Sequence, residues 1–291
     1  MLGVTATAVG VSLCVSAIAT ARSSPKVSQQ DVLALWASKD YLAVAQACEA
    51  SLSVAPLDPF YLLFDGFASF YLGLAETDGE LRGVKMDEAI FSIRKALISP
   101  KLPLRPEAAY VLGKAYYHKG VDYYNEAIDF LNESTSFGYY QADTWEYLAL
   151  AARGAGRLAE SLQYFDKAVE LKPDSPELSL AAAAAFVEAG DAAKGERLAA
   201  AALESTTDDF LAERGRFLLA DIYRGNGRPD DALAQYEAIK ALNDESADAW
   251  FYEGLVYSEA GDPIKARAAW RKAVSIDPMH TAARQKLSER S

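Results

Sequence analysis

Cysteine and histidine are scarce in this chain: 291 residues hold only Cys14, Cys48, His118 and His280. Cys14 lies in an apolar segment that is either membrane-embedded or removed, so the folded body is expected to keep one thiol and no internal disulfide. Cys48 falls among small apolar residues at helical spacing and reads as a core residue, because a reactive thiol needs cationic neighbours. There is no H-E-x-x-H, no paired-cysteine motif and no G-x-S-x-G elbow, so metal-dependent hydrolysis and serine-based acyl transfer lack their parts. The chain is therefore expected not to be an enzyme, and to hold no metal or cofactor. Basic residues are outnumbered, 29 against 41 acidic, and the net charge of -12 repels phosphate backbones, which excludes nucleic acid as a main partner. Glycine and proline are present in ordinary amounts, 18 and 11, which argues against collagen-like or disordered chains, and the 51% hydrophobic content suffices for a continuous core.

Charge is missing altogether from Leu2 to Ala21, a run about long enough to cross a bilayer as a helix. Two readings of residues 1–22 stand open: a retained membrane anchor, or a secretory signal with Ala19-Thr20-Ala21 as its cleavage site. The missing basic n-region speaks against the signal. Cys14 after Val11-Ser12-Leu13 faintly resembles a lipoprotein box, but Leu13 is bulky where such boxes carry a small residue. Residues 23–30, polar and containing Pro25, read as a linker. The expected location is the cell envelope, periplasmic or membrane-anchored. The cytoplasmic face of the membrane is the alternative if Arg22 and Lys26 mark the inner side.

What the chain does have is internal repetition at a period of about 34 residues. A unit starting at Ala247 puts Trp250 fourth, Gly254 eighth, Tyr257 eleventh, Ala266 twentieth, Trp270 twenty-fourth, Ala273 twenty-seventh and Pro278 thirty-second. The unit at Glu213 repeats this with Leu219, Ala220, Tyr223, Ala232 and Tyr236, and the unit at Ala142 with Trp145, Leu148, Ala149, Phe165, Ala168 and Pro173. This pattern resembles the tetratricopeptide repeat family, of the exported or membrane-anchored bacterial type. The resemblance covers about 31 to 280, in units near 31–57, 59–105, 106–141, 142–175, 176–212, 213–246 and 247–280, with 281–291 as a polar capping helix. It implies an all-α, right-handed solenoid of antiparallel helix pairs, six to seven repeats long. The unit at 59–105 carries a stretched connection from Glu76 to Asp87, read as a surface loop without calcium-ligand spacing. The G-x-G-x-x-A run Gly154 to Ala159 follows a repeat helix where a dinucleotide site needs a strand, and reads as a turn.

In this family the concave face is lined by first-helix positions two, five, nine, twelve and thirteen. Carried onto this sequence, those positions select Phe67, Phe70, Tyr71, Tyr110, Lys114, Tyr117 and His118, with Phe60 and Leu63, as an aromatic strip. Such a strip suits an apolar or peptide ligand. An insertion that shifted the register would put the same aromatics in the core, and that alternative stays open. Toward the C-terminus the positions give Arg153, Phe217, Asp221, Arg224 and Phe251, a mixed lining suited to protein recognition. Lys114 occupies a position used by chaperone-tail clamps, but the companion Asn residues are missing.

The resulting expectation is a non-catalytic scaffold or adaptor at the membrane or envelope, which engages a peptide or protein segment in its groove. The alternative is a solute- or lipid-binding accessory protein of an envelope transport system, with a small apolar ligand. Residues 2–21 add a membrane contact if they are retained.

Overall fold

The structure, a computed structural model, describes residues 27–289. The apolar run Leu2 to Ala21, Cys14 and linker residues 23–26 lie outside the described residues. Fifteen α-helices and one 3-10 turn, with no strand among the described residues, form two compact units, 27–140 and 141–289. The first unit pairs α1 (Gln29–Ala37) with α2 (Tyr41–Leu52), α3 (Pro59–Ala75) with α4 (Gly79–Leu97), and α5 (Arg105–Lys119) with α6 (Tyr124–Ser136). The second pairs α7 (Thr144–Gly154) with α8 (Leu158–Leu171), α9 (Pro176–Glu188) with α10 (Ala192–Ser205), α11 (Asp209–Gly225) with α12 (Pro229–Leu242), and α13 (Ala247–Glu259) with α14 (Pro263–Ile276). The single helix α15 (Thr281–Ser288) closes the order.

Many of the helices start where a side chain caps them. Asp58, Ser175 and Asp262 accept from the N–H groups of Phe60, Leu178 and Lys265, and each precedes a proline in the first helical position, where a missing donor costs nothing. The turn inside a pair recurs with one hydrogen-bond scheme. Arg157, Asp191, Arg228 and Asp262 each donate their N–H to the carbonyl five residues back, at 2.8 Å, across a glycine of positive φ such as Gly156 (75°) or Gly261 (76°). The first pair uses the same scheme, Asp40 N–H to Leu35, with Lys39 at φ 59° in the glycine position. A side chain there carries the left-handed strain that glycine avoids.

Two turns depart from this scheme. The stretch Glu76 to Asp87, read from sequence as a long loop, is mostly helix: α4 begins at Gly79, because the Asp78 carboxylate accepts from Glu80 and Leu81 N–H and Arg82 Nη2 donates to the Glu76 carbonyl at 2.8 Å. Acidic residues and glycines had suggested a loop, but they serve here as a helix N-terminus. The two extra residues after α5 form the 3-10 turn Val121–Tyr123. Downstream, α11 starts at Asp209, four residues before the repeat register, capped by Asp208 through Leu211 N–H.

Small residues set the helix spacing within each pair. A Cβ on Gly113 would lie 2.7 Å from Leu131 Cγ and 3.0 Å from the Ala127 carbonyl, and one on Gly66 would meet Ile93 Cγ1 at 2.5 Å. Larger residues then fill the space between pairs: Phe165 packs with Ala149, Leu178, Ala182 and Phe186, and Tyr236 packs with Ala220, Ala249 and Val256. No pair covers its apolar face alone. Cys48 is fully buried among Val44, Tyr61 and Phe64, and its thiol is pushed up to about 12, by burial first and by Asp65 second. It is a core residue with no thiolate at neutral pH.

Candidate functional site

The seven selected residues of the first unit do come together, but as a packed cluster. Phe70 is fully buried, Phe67 is 5% exposed, and Tyr110 and Lys114 are 7% exposed. The expectation of an open aromatic strip is corrected at these four positions, which offer no free surface. Phe67 contacts Trp36 and Phe64, and Phe70 contacts Tyr71 and His118. Lys114 Nζ bonds the Tyr110 hydroxyl at 3.1 Å and lies 5.5 Å from the Phe70 ring centroid. Tyr71 and Tyr117 are half-buried and stack on Tyr41 (4.6 Å) and Tyr124 (5.3 Å). Trp36 and Tyr41, which complete this cluster, belong to the first pair, where the repeat signal is weakest.

His118, half-buried beside Phe70 and Tyr117, has its pKa lowered to about 4, by burial first and then by Lys114 and Arg82. A histidine held neutral in the folded state favours folding while the unfolded chain's imidazole is also neutral. That contribution is lost as pH falls from the unfolded value of 6.5 toward 4. Thermal melts between pH 7 and 4 are expected to show a fall in midpoint that is shallower in His118→Asn. Equal slopes would contradict the assignment.

In the second unit, Phe217, Asp221 and Arg224 of α11 share one cleft of about 450 Å³ with Tyr236 of α12 and Asp248 and Tyr252 of α13. Three rings meet there: Phe217 and Tyr252 at 6.0 Å edge to face, Tyr236 and Tyr252 stacked at 6.2 Å, Phe217 and Tyr236 at 6.2 Å. Arg224 Nη2 donates to Asp221 Oδ1 at 3.1 Å, its Cζ stands 5.9 Å from the Tyr252 centroid, and its Nη1 is buried without a hydrogen-bond partner. Tyr236, 2% exposed, has its phenol pushed up to about 12, by burial first, with Arg224 opposing and Asp221, Tyr252 and Glu259 adding. The Asp221 and Asp248 side chains remain 64% and 68% exposed, so the cleft presents carboxylates at its rim over aromatic walls.

Asp248 is held from behind. His280 caps α15 by accepting from Ala283 N–H at Nδ1, which places its proton on Nε2, 3.1 Å from Asp248 Oδ1. Of the remaining selected residues, Arg153 is tied to Glu188 at 2.9 Å. Phe251 is 9% exposed and packs against Trp270 and His280, so its assignment to the groove is corrected to core. Asp248 occupies the second position of its unit, a signal legible in the register. Tyr236 and Tyr252 sit at positions assigned to architecture or to neither face.

Tetratricopeptide repeat profiles match residues 152–214 and 217–280. Among solved structures, the C-terminal part of a TPR repeat-containing protein from Cytophaga hutchinsonii aligns over 90% of this chain and 100% of its own, at 16% identity and TM-score 0.67. MamA from Desulfovibrio magneticus (residues 41 to end) aligns over 61% and 97%, at 15% identity and TM-score 0.53. Pseudomonas aeruginosa pilF aligns over 80% and 94%, at 16% identity and TM-score 0.52. No curated protein matches the sequence. These structural likenesses carry the fold. Residues 152–214 and 217–280 thus carry tetratricopeptide repeats, an architecture that generally serves to hold protein partners, and the pairs of α3 with α4 and α5 with α6 follow the same small-residue spacing.

Proposed function

We propose that the protein is a non-catalytic scaffold at the membrane or cell envelope, and that the cleft of its second unit holds a segment of a partner protein. The observation that carries this reading is the pairing of three aromatic walls with two exposed rim carboxylates over about 450 Å³. Aromatic walls bury an apolar or aromatic side chain, and Asp221 and Asp248 attract a basic one. The envelope location rests on the charge-free run Leu2 to Ala21. No helix among the described residues is long and apolar enough to cross a membrane.

The test is a photo-crosslinking amino acid at Phe217 in native membranes, with a second at Leu171, which is 51% exposed on α8, as control. A defined protein crosslinked from position 217, absent from position 171 and lost with Tyr252→Ala, is the expected result. Crosslinking from both positions alike would refute the cleft.

A second reading, an accessory protein for an apolar solute or lipid, is favoured by one feature. A pocket of about 420 Å³ in the first unit is walled by Leu33, Phe60, Leu63, Phe64, Leu102 and Leu104. Native mass spectrometry showing a copurified small molecule, released by Leu63→Asp, would select it over the protein scaffold.

A further inference from the structure

The first unit carries a second open surface, independent of the cleft. A furrow of about 650 Å³ is floored by Leu62, Asp65, Ser69 and Leu72, one face of α3. One wall is α2, from Leu42 through Glu49 to Leu52, and the other is α4, from Lys85 through Phe91 to Lys95. The ten steps along α2 from Leu42 to Leu52, at 1.5 Å rise, make this a channel about 15 Å long, the length of a few helical turns. Its apolar walls face solvent: Leu42 is 58% exposed and Phe91 63%.

Charge in the furrow is unbalanced at its floor. Lys85 answers Glu88 at 2.7 Å, and Lys95 leans over the Phe91 ring at 4.8 Å. Asp65 accepts a hydrogen bond from the Ser92 hydroxyl at 2.7 Å. Burial raises the Asp65 pKa most. Ser92 and Lys85 oppose the rise, while Glu88 and Glu49 add to it. A half-buried carboxylate beside Glu88 and Glu49, only partly offset by Lys85, works against folding when it is ionised.

We propose that this furrow docks an amphipathic helical segment of a partner protein, with its apolar face on Leu42 and Phe91 and a lysine or arginine reaching Asp65 and Glu49. The channel length suits a helix laid along it, and Asp65 on the floor with Glu49 on the α2 wall selects a cation in the middle of the apolar face. A partner cation adds to the counter-charge that Lys85 brings to the carboxylates of the furrow.

The test pans a displayed library of helical 15-residue peptides on the full chain. Anisotropy titrations of recovered peptides are then compared for wild type, Asp65→Asn, Phe91→Ser and the cleft variant Tyr252→Ala. The expected binders are amphipathic and basic, lose at least tenfold in affinity with Asp65→Asn and with Phe91→Ser, and keep it with Tyr252→Ala. Because asparagine retains a partner for Ser92 without the charge, the Asp65→Asn melting midpoint at neutral pH should stay level or rise. Four results would overturn the proposal: no basic helical binders; binders indifferent to both furrow variants; a lowered midpoint in Asp65→Asn; or self-association abolished by Phe91→Ser, which assigns the furrow to a second copy.

Discussion

Trp270→Ala is expected to lower the stability of the second unit by about 3–5 kcal/mol, measured as a shift of the urea midpoint. The ring is 5% exposed and joins Phe251, Ala266 and Ala273 in the terminal core. Its Nε1 donates to the Phe251 carbonyl at 3.2 Å, a second bond to an oxygen within α13, so truncation also removes that tie between the two helices. The geometry predicts coupling as well. A Cβ on Gly254 would fall on the indole, 2.5 Å from Cδ1, and 3.0 Å from the Ala266 carbonyl. Gly254→Ala alone should therefore destabilise by displacing the ring. In the Trp270→Ala background most of that clash disappears, so the double variant should be more stable than the two single effects summed. Strict additivity would mean that the two residues do not share one contact.

Lys240→Met should have an effect of similar size, about 3–5 kcal/mol, for a different reason. Lys240 Nζ lies 2.6 Å from Glu253 Oε2, both side chains are 8% exposed, and the ammonium sits 3.9 Å from the Trp250 centroid. A second bond, 2.7 Å to Glu237, ends on an exposed carboxylate. Removing the cation leaves Glu253 buried without a counter-charge, whereas removing both charges leaves a hydrophobic contact between α12 and α13. Lys240→Met with Glu253→Met should thus recover most of the loss in the same urea titration. A double variant as unstable as the single would show that the pair itself, and not the stranded carboxylate, holds the helices.

Repeat architecture was legible because the eighth, twentieth and twenty-seventh positions are read by sterics: Gly254, Ala266 and Ala273 are small wherever two helix axes approach. The groove was legible only where first helices keep the register, as in α11, which delivers Phe217, Asp221 and Arg224 to one cleft. Phe70 and Phe251 satisfy the same positional rule and are buried, because position fixes the direction of a side chain and its neighbours decide whether water reaches it. Tyr236 fills the space between pairs and also forms part of the cleft wall, two roles that one positional rule cannot separate. Asp78 shows the opposite failure: acids and glycines signal a loop unless the cap they form is recognised.

The principal helix contacts join elements that are adjacent or next but one along the chain. Each interface therefore closes over a short stretch of backbone, with a small entropic barrier to its formation. Low contact order of this kind places folding on the fast side for the size of each unit, since no distant segment must be found before the first pairs gain from packing. It also means that a helix pair gained or lost between neighbouring pairs changes the number of repeats in a unit while that unit's other interfaces form as before.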